Sequence, residues 1–121
     1  MRLFALRGAT TVERNSSEEI LDATETLMRE IMSRNVLEPA DVVSCLFTLT
    51  EDLDAQFPAV AARQLGFAQV PLMCAREVPV PGSLPRVIRV LMHYYAAEDH
   101  VAKHVYLGEA RRLRMDLESA Q

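Results

Sequence analysis

Long apolar runs are missing from this chain, and none approaches the roughly 20 residues that a membrane-spanning helix needs. Basic charge is scarce beside acidic charge: 13 Lys and Arg face 17 Asp and Glu, a formal net charge of −4. A nucleic-acid footprint needs a clustered basic surface, so neither nucleic acid nor a membrane is expected as a partner. Cys45 and Cys74 lie far apart in apolar runs, with no CxxC and no histidine cluster beside them. That spacing makes no zinc site and reads as buried free thiols in a reducing, cytoplasmic setting. No phosphate-binding glycine loop occurs, and His93, His100 and His104 follow no metal-ligand spacing. No nucleophile has a base at suggestive spacing. The first residues, Met-Arg-Leu-Phe-Ala-Leu-Arg7, meet charge at once and lack the length of a signal-peptide core.

What is present is globular composition, half apolar and a quarter charged. A length of 121 residues predicts a single domain over 1–121. The sequence leaves open whether its tail, at about 108–121, is mobile. A short first strand is expected over 3–6. Ser16-Ser-Glu-Glu19 fits a capping box, and Ile20, Ala23, Leu27 and Ile31 follow at helical spacing, so a helix is expected over 17–34. Residues 42–50 are β-branched and apolar and read as a buried strand. An acidic loop, 51–54, precedes a second helix over 58–65, with Pro58 near its start and Gly66 after its end. Further strands are expected over 69–75, 86–94 and 104–107. The order β-α-β-α-β-β-β predicts an α/β (α+β) fold, a mixed sheet with helices on one face. The other face would then need cover from another subunit.

Three charges need explaining. Glu77 follows an apolar strand and opens a connector stiffened by Pro79, Pro81 and Pro85. Arg89 is embedded in the next apolar run, where an ion is costly unless something pairs with it or binds it. Arg7 ends the first strand. Each has a plain reading as a solvated surface charge. The sharper reading is a site for an anionic ligand, because a guanidinium fork suits carboxylates and oxyanions. Without a nucleophile, catalysis would work through placed charges and shape. That suits a unimolecular reaction of a dianion.

Several segments together resemble the AroH class of chorismate mutases, the small trimeric type of bacilli and relatives. They are Arg7-Gly-Ala-Thr-Thr-Val-Glu13, Thr50-Glu-Asp-Leu-Asp-Ala-Gln-Phe-Pro-Ala59, Val70-Pro-Leu-Met-Cys-Ala-Arg-Glu77, Arg89-Val, His104-Val-Tyr-Leu107 and Leu113-Arg-Met-Asp-Leu117. The words are short, but their joint order covers nearly the whole chain. The resemblance implies a cofactor-free isomerase that converts chorismate to prephenate for phenylalanine and tyrosine synthesis. It also implies a homotrimer with a pseudo-α/β-barrel core and sites between subunits.

Carried over by position, the resemblance puts Arg89 at the breaking ether bond. Arg7 and Tyr106 would hold the enolpyruvyl carboxylate, and Glu77 and the Cys74 backbone the ring hydroxyl. Leu72, Met73 and Leu113 would wall the pocket. Phe57, Ala59 and Arg63 would come from the neighbouring subunit, and Arg114 would approach the mouth. Three positions depart from the family pattern: Met115 stands where a proline is usual, Val60 where some members have lysine, and Met73 where some relatives have a smaller residue. Two other classes remain open at this level. One is a non-catalytic trimeric module that binds a small carboxylate or regulates. The other is the enamine-deaminase type of trimer, which the segments match poorly.

Overall fold

The structure, a computed structural model, describes residues 1–113. Its strands are β1 (Arg2–Thr11), β2 (Val42–Leu49), β3 (Leu72–Arg76), β4 (Val87–Ala96) and β5 (Val105–Tyr106), with helices α1 (Ser17–Asn35) and α2 (Pro58–Ala62). One mixed five-stranded sheet has the order β3-β2-β4-β1-β5. The central pairs, β1 with β4 and β2 with β4, are antiparallel. Each edge strand is parallel to its neighbour, β3 to β2 and β5 to β1. The fold is the expected α+β arrangement of a mixed sheet with helices on one face.

Ser16 caps α1, its hydroxyl accepting the Glu19 N–H at 3.1 Å. Only this half of the expected box forms. The Glu19 carboxylate instead takes the N–H groups of Glu13 and Arg14 and the Arg14 Nε. α1 buries Ile20, Thr24, Leu27, Met28, Ile31 and Asn35 in one stripe. That spacing is the helical period, and the stripe lies across the sheet face that carries Leu6, Phe47, Val90 and Met92. α2 buries Ala59, Ala61 and Ala62, small residues that let it pack closely on α1. A wide helical turn, Arg63–Phe67, follows, and Gly66 at φ 100° lets the chain reverse and bury Phe67.

β1 runs past its expected end at Leu6, through Arg7 to Thr11. Gly8 explains how a strand continues there. A Cβ at Gly8 would lie 2.7 Å from Ile31 Cδ1 and within 3.3 Å of Leu27 and Val90 side-chain atoms. The glycine is therefore the contact point where α1 presses on the sheet. β5 is shorter than the expected 104–107 and spans Val105–Tyr106.

The opposite face carries no long helix among the described residues. Leu3 (49 % exposed), Met73 (69 %) and Tyr95 (47 %) stand on it in the single chain. Among the described residues only its end near β5 is covered, by the short helical segment Gly108–Ala110 and a cluster of Ala9, Val87 and Ala110 with Leu84, Tyr106 and Leu113.

Gly8→Ala is expected to lower stability by about 1–3 kcal/mol, the usual cost of overpacking. Chemical denaturation checks this, with a lower midpoint and an unchanged slope expected.

Candidate active site

Strand register builds the site. Ala75, Thr48, Arg89, Ala9 and Tyr106 stand opposite one another on consecutive strands, a single row across the whole sheet. The next row runs Met73, Leu46, Leu91 and Arg7. Side chains alternate faces along a strand, so both rows point to the open face. Ala9 sits between Arg89 and Tyr106, which are two strand spacings apart, about 10 Å. Its small side chain leaves a hollow there. A cleft of about 230 Å³ follows, lined by Arg7, Ala9, Leu46, Thr48, Arg89 and Tyr106 among others.

Glu77 and Arg89 meet. The Arg89 Nε donates to Glu77 Oε2 at 2.9 Å, with 15 % of the Glu77 side chain and 39 % of the Arg89 side chain exposed. The Thr48 hydroxyl donates to the same oxygen at 2.8 Å. Among the described residues, no other hydrogen bond engages Glu77 Oε1 or the terminal nitrogens of Arg89. Within the described residues the pair thus leaves one carboxylate oxygen and the terminal guanidinium nitrogens without partners, and Arg89 lines the cleft.

The connector between them is tied at both ends. Glu77 N–H donates to Leu49 O, which prolongs the β2–β3 ladder by one bond. At the other end Arg86 adopts φ 54°, and its N–H donates to the Asp52 carboxylate. Thr50 donates to the same carboxylate at 2.6 Å and accepts the Val87 N–H. The acidic loop therefore anchors the start of β4 and sets where Arg89 falls against Thr48.

The Arg7 N–H donates to His104 Nδ1 at 2.9 Å. The imidazole replaces the backbone carbonyl that β5 would otherwise supply, which is why the ladder begins only at Val105. Asn35 holds this segment: its amide donates to Lys103 O and its carbonyl accepts the Lys103 N–H. Tyr106 Oη is buried and has no hydrogen-bond partner among the described residues. A buried hydroxyl without a partner is costly, so it marks a place where a ligand oxygen would be favourable.

The cleft of one chain gathers Arg7, Arg89 and Tyr106. Glu77 joins through Arg89, and Leu113 packs in the cluster that holds Tyr106. Met73 lies on the open face in the row of Leu46. The side chains of Leu72 and Cys74 face the helices and pack against the main core. Phe57, 64 % exposed, and Ala59 and Arg63 of α2 and its following turn do not line this cleft. Arg114 and Met115 lie outside the described residues. Cys45 and Cys74 are free thiols, and burial pushes Cys45 up to about 12, which leaves it unreactive. The sequence reading overlooked Thr48, Ala9 and His104. Alternation alone puts Thr48 on the Leu46 face, but pairing it with Arg89 needs the register.

The model of the family described as chorismate mutase type I matches residues 3–117. Chorismate mutase AroH of Thermus thermophilus is 53 % identical over 119 residues, 96 % of this chain and 97 % of that protein. Its counterpart in Bacillus subtilis (strain 168) is 44 % identical over 120 residues, 97 % and 94 % of the two chains. The solved chorismate mutase from Clostridium thermocellum superposes with a TM-score of 0.87 at 48 % identity, covering 90 % of this chain and 98 % of that one.

His104 gives a pH expectation. Burial first, and the Arg7 charge second, lower its pKa from the ordinary value. Folding therefore favours the neutral ring, whose Nδ1 can accept. That contribution is complete above about pH 6.5, the unfolded value, and is lost as pH falls through the lowered folded value. Thermal unfolding of the wild type should show a drop in melting temperature from pH 7.5 to 5 that His104→Gln, which accepts but does not titrate there, reduces.

Proposed function

Because this chain belongs to the chorismate mutase type I family and has that family's isomerase activity, we propose that the open-face cleft is where chorismate rearranges to prephenate. The observation that supports this most is the row in which Arg89, Ala9 and Tyr106 stand side by side, with Arg7 in the row beside it. Two guanidinium groups and a hydroxyl without a partner among the described residues border a small hollow. That arrangement suits a compact dianion.

The reaction breaks an ether C–O bond and forms a C–C bond within one molecule. No electron pair or proton leaves the substrate, so the chemistry calls for no cofactor. Chorismate is mostly extended in water and must fold into a chair-like form to react. Arg7 and Tyr106 would hold the enolpyruvyl carboxylate over the ring. Glu77 Oε1 and the Cys74 backbone would fix the ring hydroxyl. Leu113 and Met73 would exclude water around them, whereas Leu72, expected there too, turns its side chain to the helices and so does not wall this cleft. Orientation of this kind reaches about 7–11 kcal/mol in favourable bimolecular cases, and a unimolecular reaction draws less. The remainder comes from binding the transition state better than the substrate. The ether oxygen gains negative charge as its bond stretches, and Arg89 presents fixed positive charge there before the reaction begins.

The assembly proposed is a homotrimer whose sheets pack by their open faces into a pseudo-barrel. The bare apolar face with Leu3, Met73 and Tyr95 supports it. Phe57 and Arg63 of a neighbour would then complete each site, backed by Ala59, which is buried in its own chain, with Arg114 near the mouth. A cytoplasmic location fits an enzyme of aromatic amino-acid synthesis whose two cysteines are both free thiols.

Arg89→Ala should cost more than the about 2.7–4 kcal/mol that removal of one oxyanion-hole donor costs elsewhere, because this donor is charged. Arg89→Lys should recover little, since a point charge lacks the fork. The loss of chorismate absorbance with time measures both, and near-normal turnover of Arg89→Ala would remove the proposed role. For the shared site, Arg89→Ala and Arg63→Ala chains should each be weak alone but regain activity when unfolded and refolded together. No recovery, or an active monomer by size-exclusion chromatography, would contradict subunit sharing.

A further inference from the structure

We propose that Thr48 is a positioning residue for this reaction, one that keeps the Glu77–Arg89 pair single-pronged. The inference rests on the site reading above. Glu77 comes from the end of β3 and Arg89 from β4, and β2 runs between those strands. Thr48 is the β2 residue in the Arg89 row, so the carboxylate has to pass over it. Its hydroxyl donates to Glu77 Oε2 at 2.8 Å, and Arg89 Nε donates to the same oxygen at 2.9 Å.

Two donors on one oxygen have a chemical consequence. Arginine and carboxylate left to themselves favour a two-pronged pairing, with both oxygens facing two N–H groups. That pairing would occupy Glu77 Oε1 and a terminal nitrogen of Arg89. Those are the acceptor wanted for the ring hydroxyl and the donor wanted for the ether oxygen. Thr48 turns the carboxylate so that Oε2 takes both bonds and Oε1 stays free. Its size matters as well, because a longer side chain in the middle of the row would fill the space that Glu77 crosses.

Thr48→Val keeps the shape and removes the donor, whereas Thr48→Ser keeps the donor. With chorismate as substrate, Thr48→Val should lose about ten- to a hundredfold in kcat/KM, the range for a lost hydrogen bond to a charged group. Most of that loss should fall on kcat, since the bond acts through the donor at the breaking bond. Thr48→Ser should stay within about threefold of wild type, and both variants should unfold near the wild-type temperature. In a Glu77→Gln background, where no charged carboxylate remains to turn, the Val substitution should cost at least threefold less than it does alone. Equal losses for Val and Ser, an undiminished loss in the Gln background, or normal turnover of Thr48→Val would each overturn the role of Thr48 while leaving the site reading standing. Normal turnover of Glu77→Gln itself would overturn both.

Discussion

The contact between Arg89 and Glu77 organises this molecule around its open face. Arg89 stands on the open face with its side chain 39 % exposed, and the carboxylate that meets it is only 15 % exposed. Such a half-exposed pair adds little net stability, because solvent screens the attraction, but loss of Arg89 would leave the more buried carboxylate without its cation. Much else in the fold can be understood as what keeps that contact in place. The β2–β4 register sets Arg89 against Thr48. The β2–β3 ladder carries Glu77 to the same level. Asp52 and Thr50 hold the far end of the connector at Arg86 and Val87.

The two faces of the sheet divide the work. The helix side has the dense core, with Leu6, Phe47, Met92 and Tyr94 fully buried under α1 and its neighbours. The other side combines the exposed apolar residues Leu3, Met73 and Tyr95 with the charges of the proposed site. Exposed apolar patches rimmed by polar groups commonly mark interaction sites, in keeping with the proposed assembly. Function and association would then draw on the same strands, and a change in the open rows would be felt by both.

Much of this was legible in the sequence. Ser16 and the Ile20 to Ile31 spacing mark α1 to within a residue of its observed end, because capping and a one-sided apolar stripe are local properties. Alternation of Arg89 with Val90 marks a strand with one polar face. Arg7, Glu77 and Arg89 stand out because charge in apolar surroundings has few explanations. The illegible parts depend on partners distant in the chain. Arg7-Gly8 reads as a strand end, yet β1 continues because β4 and β5 pair with it on both sides. The segment beginning at His104 reads as strand from its first residue, but a side-chain bond to Arg7 takes the place of the ladder there. Thr48 is an ordinary strand threonine until three strands are aligned, and Leu72 shows its core-facing side only once β3 is paired with Cys45.

Gly8 and Ala9 give β1 its last property. One residue is reduced to let a helix approach from one side, and the next is reduced to leave a hollow on the other. The strand is therefore at its thinnest where the two halves of the molecule come closest, and it has no slack in phase. A single residue inserted ahead of Gly8 within β1 would exchange the faces, closing the hollow and lifting the helix in one step. The β1–β4 pairing runs unbroken from Arg2 to Thr11, while the irregularity the sheet does contain sits on β2 between Val42 and Ser44, away from the site row. Variation in chain length has somewhere to go in this fold, but not through the strand on which both faces depend.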